Sequence, residues 1–388
     1  MRYYKQSAKV HMYHILQKYF PMETSKSMAR NKVDPAAITM QPIHLLPVRA
    51  TDIYTLPTLD LNEARIEDTI EILTAFMDEL GIPLNSMADK VALVKGDWLT
   101  IRNINSSLFL RQDAVNQEET FDFLEPVMGL FHLQMNVLRL MISNYWGRVD
   151  AKDIASIHHF VRMVGNNRVK KTGKDFRACL NFINDLLDGH VLALLFSAAD
   201  VETSEQFAKA LEKGLGWPDM LDTLSGDIYS SKVSGWRQGA DGTKVEVVKR
   251  DIPLENALLF LRDMLVFRDY EDAVKCGDTG RVAKCIEYWC VLFQGTALKN
   301  YASEMVHLTA CIKHIWDKPL RDLWMENCLV NPSGNPGGWM PDDMFGEYVV
   351  RENKKRIRPS SNALSGDFNR EVHALQVGLL IKLQSVVS

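Results

Sequence analysis

The sequence is poor in the features that usually disclose a protein's work. It has no long hydrophobic run. The longest mostly apolar stretch is Val191–Ala199, whereas a membrane span needs about 20 residues, so no membrane partner is expected. Met1-Arg2-Tyr3-Tyr4-Lys5 is followed by no apolar signal region. Without a leader, the six cysteines read as reduced thiols of an intracellular protein. Strong charge of one sign is lacking too: 45 Lys and Arg against 49 Asp and Glu leave a net charge of −4, which gives no general attraction to nucleic acid. There is no P-loop, no G-x-G-x-x-G after a strand, no G-x-S-x-G and no H-E-x-x-H. These absences exclude the common NTPases, dinucleotide enzymes, serine hydrolases and zinc proteases. Disorder is excluded by composition, since 46% hydrophobic and 24% charged residues are values of a globular chain.

What is present is mostly helical periodicity. Tyr4, Val10, Tyr13, Leu16 and Phe20 recur at helical spacing over residues 1–20, and Pro21 predicts a stop. Pro35, Pro42, Pro47 and Pro57 then mark an extended arm reaching Leu59. A helix restarts near Asn62, with Ile66, Ile70, Leu73, Phe76, Met77 and Leu80 as one stripe, and Gly81 and Pro83 end it. Two short apolar runs, Val91–Lys95 and Val127–Phe131, read as strands. The helix-like stretch between them is long enough for a crossover between parallel strands. Beyond Phe131 the periodicity predicts helices over Leu133–Trp146, Ala151–Val164, Phe176–Ala198, Ser204–Leu215, Leu254–Lys275, Val282–Gln294 and Asn300–Trp316, with Asp150 and Ser204 as N-caps. Residues 235–249 suggest a small hairpin, and Asn331–Pro341 is a Pro- and Gly-rich loop. The fold class expected is α/β, predominantly helical, with a small, partly parallel sheet.

Three constellations carry candidate chemistry. Asp97 follows the first strand in Gly96-Asp97-Trp98-Leu99-Thr100, the end at which open α/β sheets place their sites. The same residue is suited to capping the next helix, and the two roles are compatible. His132 follows the second run, and if the strands are parallel neighbours it lies near Asp97, as a proton carrier or metal ligand. The plainer reading is a histidine satisfied by a backbone carbonyl. On Asn300–Trp316, Glu304, His307, Cys311 and His314 form a stripe flanking the apolar face. A Glu and a His at i, i+3 can share a metal, but the pattern matches no zinc signature, and a polar rim is the plainer reading. Basic residues gather at Arg168, Lys170, Lys171, Lys174 and Arg177, and again at Arg351, Lys354, Lys355, Arg356 and Arg358. Such clusters hold nucleic-acid phosphates or serve as solvated faces.

Several segments taken in order resemble a known family. They are Ile43-His44-Leu45-Leu46-Pro47-Val48, Gly96-Asp97-Trp98-Leu99-Thr100, Gly129-Leu130-Phe131-His132-Leu133-Gln134-Met135-Asn136, Tyr301-Ala302-Ser303-Glu304-Met305-Val306-His307-Leu308 and Leu329-Val330-Asn331-Pro332-Ser333-Gly334-Asn335-Pro336-Gly337. From about Gln41 to Met340 the chain resembles domain of unknown function 6589, a family expanded in mushroom-forming fungi. The motif order of that family is similar to that of DNA transposases with a ribonuclease-H-like core. There, carboxylates end the first and fourth strands, and a third sits on a late helix beyond a helical insertion. The resemblance implies Asp97 as the second carboxylate, His132 just past the following strand, an insertion over about 147–299, and Glu304 as the third carboxylate. Such carboxylates hold two Mg²⁺ ions about 4 Å apart. One departure stands out: nothing before Gly96 reads as an apolar strand ending in Asp, because Asp34, Asp52 and Asp60 lie in the Pro-rich arm. The chain therefore resembles an N-terminally shortened copy, with an incomplete metal site and an open sheet edge.

The expected organisation is an N-terminal helix and arm over 1–60, then a single domain over 61–388 that carries the insertion. The expected catalytic residues are Asp97, His132 and Glu304, with Asp97 and Glu304 as ligands of Mg²⁺ where the chain is active. DNA is the expected partner, contacted by Arg168, Lys170, Lys171, Lys174 and Arg177, which would place the protein in the nucleus. The alternative is a helical interaction or scaffold protein without catalysis. A third reading is a metal-binding bundle using Glu304, His307, Cys311 and His314.

Overall fold

A computed structural model of the chain describes residues 1–54, 56, 59, 61–81, 83, 87, 90–115, 120–148, 154–230, 236–238, 244–246, 251–296, 298–357 and 383–385. In chain order the elements are α1 (Arg2–Tyr19), α2 (Pro21–Asn31), a 3-10 turn (Pro35–Ile38), α3 (Ile66–Glu79), β1 (Lys90–Gly96), α4 (Trp98–Arg111), β2 (Leu124–Met128) and α5 (Leu130–Tyr145). Then come α6 (Ile157–Met163), α7 (Phe176–Ala198), α8 (Ser204–Lys213), α9 (Trp217–Ile228), β3 (Trp236–Gln238), β4 (Lys244–Glu246), α10 (Ile252–Cys276) and α11 (Thr279–Gln294). The rest is α12 (Lys299–Ala310), a π turn (Cys311–Ile315), α13 (Lys318–Asn327), β5 (Leu329–Val330), β6 (Met340–Pro341), α14 (Asp342–Ile357) and β7 (Leu383–Ser385). The fold is thus predominantly helical with a small sheet, as the periodicity predicts. All six cysteines are free.

Local chemistry explains where the elements depart from expectation. Pro21 does not end helical structure. It sits in the first turn of α2, where the missing N–H has no carbonyl to serve, so the extended arm begins only after Asn31. The second strand is Leu124–Met128 rather than Val127–Phe131. Gly129 still joins the ladder, its N–H donating to the Gly96 carbonyl at 2.8 Å, but Leu130 and Phe131 are the first turn of α5, and a short apolar run does not distinguish the two. The helix α8 is capped by Thr203 rather than Ser204, because Thr203 and Gln206 close a reciprocal capping box. The expected cap Asp150, the arm residues Pro57 and Asp60, and Val247 and Val248 of the expected hairpin lie outside the described residues.

The chain divides into two compact units, one of residues 1–42 and 136–272, the other of 43–135 and 273–388. In the first, α7 presents Cys179, Ile183, Leu187, Val191 and Leu195 to the core. Trp217 of α9 is fully buried, stacks on Tyr13 at 5.5 Å and donates its indole N–H to Ser27 at 3.1 Å. By length and composition α7 is long and apolar enough to cross a membrane. Run length missed this because polar residues interrupt the apolar ones. Its inner face also holds the buried Asp188, paired with Lys18 at 2.6 Å and Arg268 at 3.0 Å, as suits a helix packed inside a bundle.

The second unit holds the sheet. β1 runs parallel to β2, from Ala92 opposite Leu124 to Gly96 opposite Met128, and β7 pairs antiparallel with β1 on its other edge. Consecutive Ala92, Leu93 and Val94 are all buried, the unbroken apolar run of a strand covered on both faces. The core around them comes from Ile72, Leu73, Phe76 and Met77 of α3, Ile104 of α4, and Phe121, Phe123 and Leu124. Lys95 of β1 is also buried, and its Nζ meets Asp342 Oδ2 of α14 at 2.6 Å and the Asn327 carbonyl. Burial pushes the Asp342 carboxyl above its ordinary range, against the pull of Lys95. We expect Lys95→Met to strand a buried carboxylate and cost about 3–5 kcal/mol in urea unfolding, while Lys95→Met with Asp342→Leu recovers most of that loss. A single variant as stable as the parent would show that the pair carries no weight.

Candidate functional site

The site is built where β1 and β2 give way to helices. β1 ends at Gly96, where a Cβ would lie 2.7 Å from the Thr100 Cβ. Asp97 follows and caps α4, its Oδ1 accepting the Thr100 N–H at 2.9 Å. The capping role predicted for Asp97 is therefore present, and its charge also acts on Glu63 and His132. At the neighbouring strand end, α5 follows Gly129, which has no side chain to offer its first N–H groups. Asp343 of α14 supplies one: its carboxylate accepts from Phe131 N at 2.9 Å, from His132 N at 3.0 Å and from the His132 ring Nδ1 at 3.0 Å. A Cβ on Gly129 would collide with that carboxylate, so glycine is what lets Asp343 close on the helix N-terminus. One turn further along α14, Glu347 Oε1 lies 3.8 Å from His132 Nε2. The fifth member is Glu63, half-buried just ahead of α3, whose backbone carbonyl accepts from the Asn103 side chain of α4 at 2.8 Å.

The electrostatics follow from this crowding. Burial, then Asp97 and Glu347, push the Glu63 carboxyl up to about 7, with His132 opposing. Burial pulls His132 down, but the Asp343 hydrogen bond and the charges of Asp343, Asp97 and Glu347 outweigh it and leave the imidazole raised. Because a carboxylate only accepts, His132 Nδ1 carries a proton toward Asp343, which leaves Nε2 facing Glu347. A carboxyl that burial and two further acids hold above its ordinary range marks a place for a cation.

The structure brings two of the expected catalytic residues, Asp97 and His132, into this cluster. Glu304 lines a neighbouring groove of 590 Å³ with Ile66, Trp98, Arg102, Phe109 and Lys299. Burial raises its carboxyl, and its charge neighbour is His307. Along the same helix the His307 ring lies 3.6 Å from Cys311 Sγ. Burial and then Glu125 push the Cys311 thiol up to about 11, away from the thiolate form. His314 follows within the π turn and is exposed. Widening of the helix there breaks the 3-4-3 stripe that the sequence spacing draws. The residues Arg168, Lys170, Lys171, Lys174 and Arg177 are exposed in the loop and first turn before and within α7. Arg168 pairs with Asp175 at 2.8 Å. In the second basic cluster Arg351 lies over the Tyr348 ring at 5.6 Å, while the side chains of Lys354, Lys355 and Arg356, and all of Arg358, lie outside the described residues.

Glu63, Asp343 and Glu347 were not singled out by sequence. One signal was available for Asp343: Asp342-Asp343 directly after Pro341 is an acidic helix start, which puts Glu347 one turn on. Glu63 has no such mark. A family model described as "Family of unknown function (DUF6589)" matches residues 2–388. No curated protein matches the chain, and no solved structure does.

Both raised groups bind protons more tightly in the folded chain than in the unfolded one. Glu63 therefore contributes stability that is present below pH 4.5 and lost as pH rises through about 7. His132 has the same sign, its contribution being full below its ordinary value and lost above its raised one. In metal-free buffer the Tm should fall between pH 5.5 and pH 8, and Glu63→Gln should flatten that slope. An unchanged slope in Glu63→Gln would remove Glu63 from the charge cluster.

Proposed function

The chain belongs to the DUF6589 family of unknown function, and from that premise we propose that it is a fungal-type, transposon-derived protein whose ribonuclease-H-like core cleaves DNA phosphodiesters with Mg²⁺. The single observation that carries this reading is the convergence of Asp97, Glu63, Glu347 and His132 at the ends of a parallel strand pair. The chain order supports it: a strand-end Asp97, then His132 beyond the next strand, then an acid on a late helix after a long helical stretch. In this reading Glu347 takes the role that the motif order assigned to Glu304, because Glu347 shares Glu63 and His132 as neighbours with Asp97. Glu63 supplies the extra charge that no strand-ending Asp upstream provides.

The donor set suits Mg²⁺, which is held by one or two carboxylates together with substrate phosphates rather than by a closed protein cage. Bound there, Mg²⁺ would activate water and stabilise the leaving oxygen. The chain's own residues do the rest. Asp97 is held by its capping bond, so its carboxylate keeps its place. His132, locked by Asp343, presents Nε2 as a donor when protonated and can return a proton to a leaving oxygen. The exposed residues Arg168, Lys170, Lys171, Lys174 and Arg177 offer charge to the DNA backbone, and the location proposed with this reading is intracellular, the nucleus where the DNA is chromosomal.

The test is nicking of supercoiled and hairpin DNA with Mg²⁺ or Mn²⁺. Asp97→Asn and Glu347→Gln should each lower the rate more than ~100-fold, since loss of even an outer-sphere partner costs 10–100-fold. Glu304→Gln should leave it within a few-fold. Cleavage that survives Asp97→Asn refutes the assignment. A folded chain that cleaves nothing leaves the scaffold reading in its place.

A further inference from the structure

We propose a transition-metal site in the first unit, separate from the acidic cluster, formed by His11 of α1 with Asp269 and Asp272 of α10. Among the described residues, these form the one group of three His, Cys, Asp or Glu side chains whose donor atoms all lie within 4.8 Å of one another. The group is not an exposed acidic patch. His11 is 3% exposed and Asp269 1% exposed, and Asp272 is half-buried.

The His11–Asp269 spacing fits a shared ion as well as it fits the hydrogen bond made there. His11 Nε2 and Asp269 Oδ1 are 3.1 Å apart. Two ligands each about 2.1 Å from one ion are separated by roughly 3.0 Å at a right angle and roughly 3.4 Å at the tetrahedral angle. Asp269 and Asp272 lie three residues apart on α10, so both reach the same side of the helix. The second oxygen of Asp269 is already engaged: Oδ2 accepts the Tyr3 hydroxyl at 2.5 Å. That bond orients the carboxylate and leaves Oδ1 turned to His11, as outer-sphere donors do around metal ligands.

Charge and ligand type choose the ion. A neutral imidazole and two carboxylates sum to −2, a ligand charge that suits one divalent cation. Imidazole nitrogen favours Zn²⁺, Fe²⁺ or Ni²⁺ over Mg²⁺, Ca²⁺ and Mn²⁺, which distinguishes this site from the all-oxygen chemistry suited to Asp97 and Glu347. Occupation would displace the proton shared by His11 and Asp269 and clamp α1 to α10. The site therefore acts as a staple between the N-terminal helix and the last helix of the same unit.

The test uses the full chain stripped with EDTA and dialysed against Zn²⁺, with Mg²⁺ as control, followed by metal analysis, thermal melting and the visible spectrum of a Co²⁺-loaded sample. All are read in an Asp97→Asn, Glu347→Gln background, which removes the two proposed Mg²⁺ ligands of the acidic cluster. About one Zn²⁺ per chain, a raised Tm and a nitrogen-ligated Co²⁺ spectrum are expected. Asp272→Asn, half-buried and isosteric, should stay folded by circular dichroism and lose the metal and the Tm rise, and His11→Gln should change the Co²⁺ spectrum. Uptake well below one ion per chain, or uptake undiminished by Asp272→Asn, overturns the proposal.

Discussion

A lysine buried under a strand holds this site together. Lys95 is the penultimate residue of β1, two before Asp97, and its ammonium is spent on Asp342, the first residue of α14. Taking both charges out of water is costly, and such a pair endures only when further hydrogen bonds complete it. Here the Asn327 carbonyl takes a second proton of Lys95, and the Asp343 N–H donates to the free oxygen of Asp342 at 2.8 Å. The result is a helix whose start is pinned to a strand. Everything that α14 contributes, from the cap on α5 to the acid facing His132, depends on that pin.

Adjacent acids at the start of α14 do opposite work. Asp342 turns to the buried lysine, while Asp343 turns to three donors at the start of α5. A helix whose first N–H groups are satisfied by a residue more than 200 positions away cannot form its native start until the chain ends of the unit have met. The same contact fixes His132 at its Nδ1 and so decides which nitrogen looks toward Glu347. Glu63 and Asp97 then complete a set in which burial and the neighbouring acids raise the Glu63 carboxyl, and Asp343, Asp97 and Glu347 raise the His132 imidazole against its burial. The arrangement binds protons where a cation is absent, and that is the physical content of calling it a candidate site.

Much of the scaffold was legible in order. The bounds of α7 were read as they stand, because a long amphipathic stretch repeats its period several times. Asp97 was legible because a carboxylate after an apolar strand has few uses, capping among them. Val127–Phe131 was misplaced because two apolar pairs around Gly129 fit a strand and a buried helical turn equally well. Pro21 was misread as an end because proline is tolerated at a helix start for the same reason that it is excluded from a helix interior. The stripe through Glu304, His307, Cys311 and His314 assumed a regular helix, and the π turn at Cys311–Ile315 removed that regularity.

By itself, then, the sequence determined what short-range physics controls: a helical chain, a parallel strand pair, a capped strand end at Asp97, and family membership carried by ordered motifs. It could not determine which acids would share Asp97's surroundings. Glu63, Asp343 and Glu347 come from segments that carry no common period or spacing, and only packing decides which of many surface-like acids become half-buried together. The same holds for His11 and Asp269, which are 258 positions apart. Burial converts an ordinary carboxylate into one that must find a proton, a donor or a cation, and burial is a property of the tertiary structure alone.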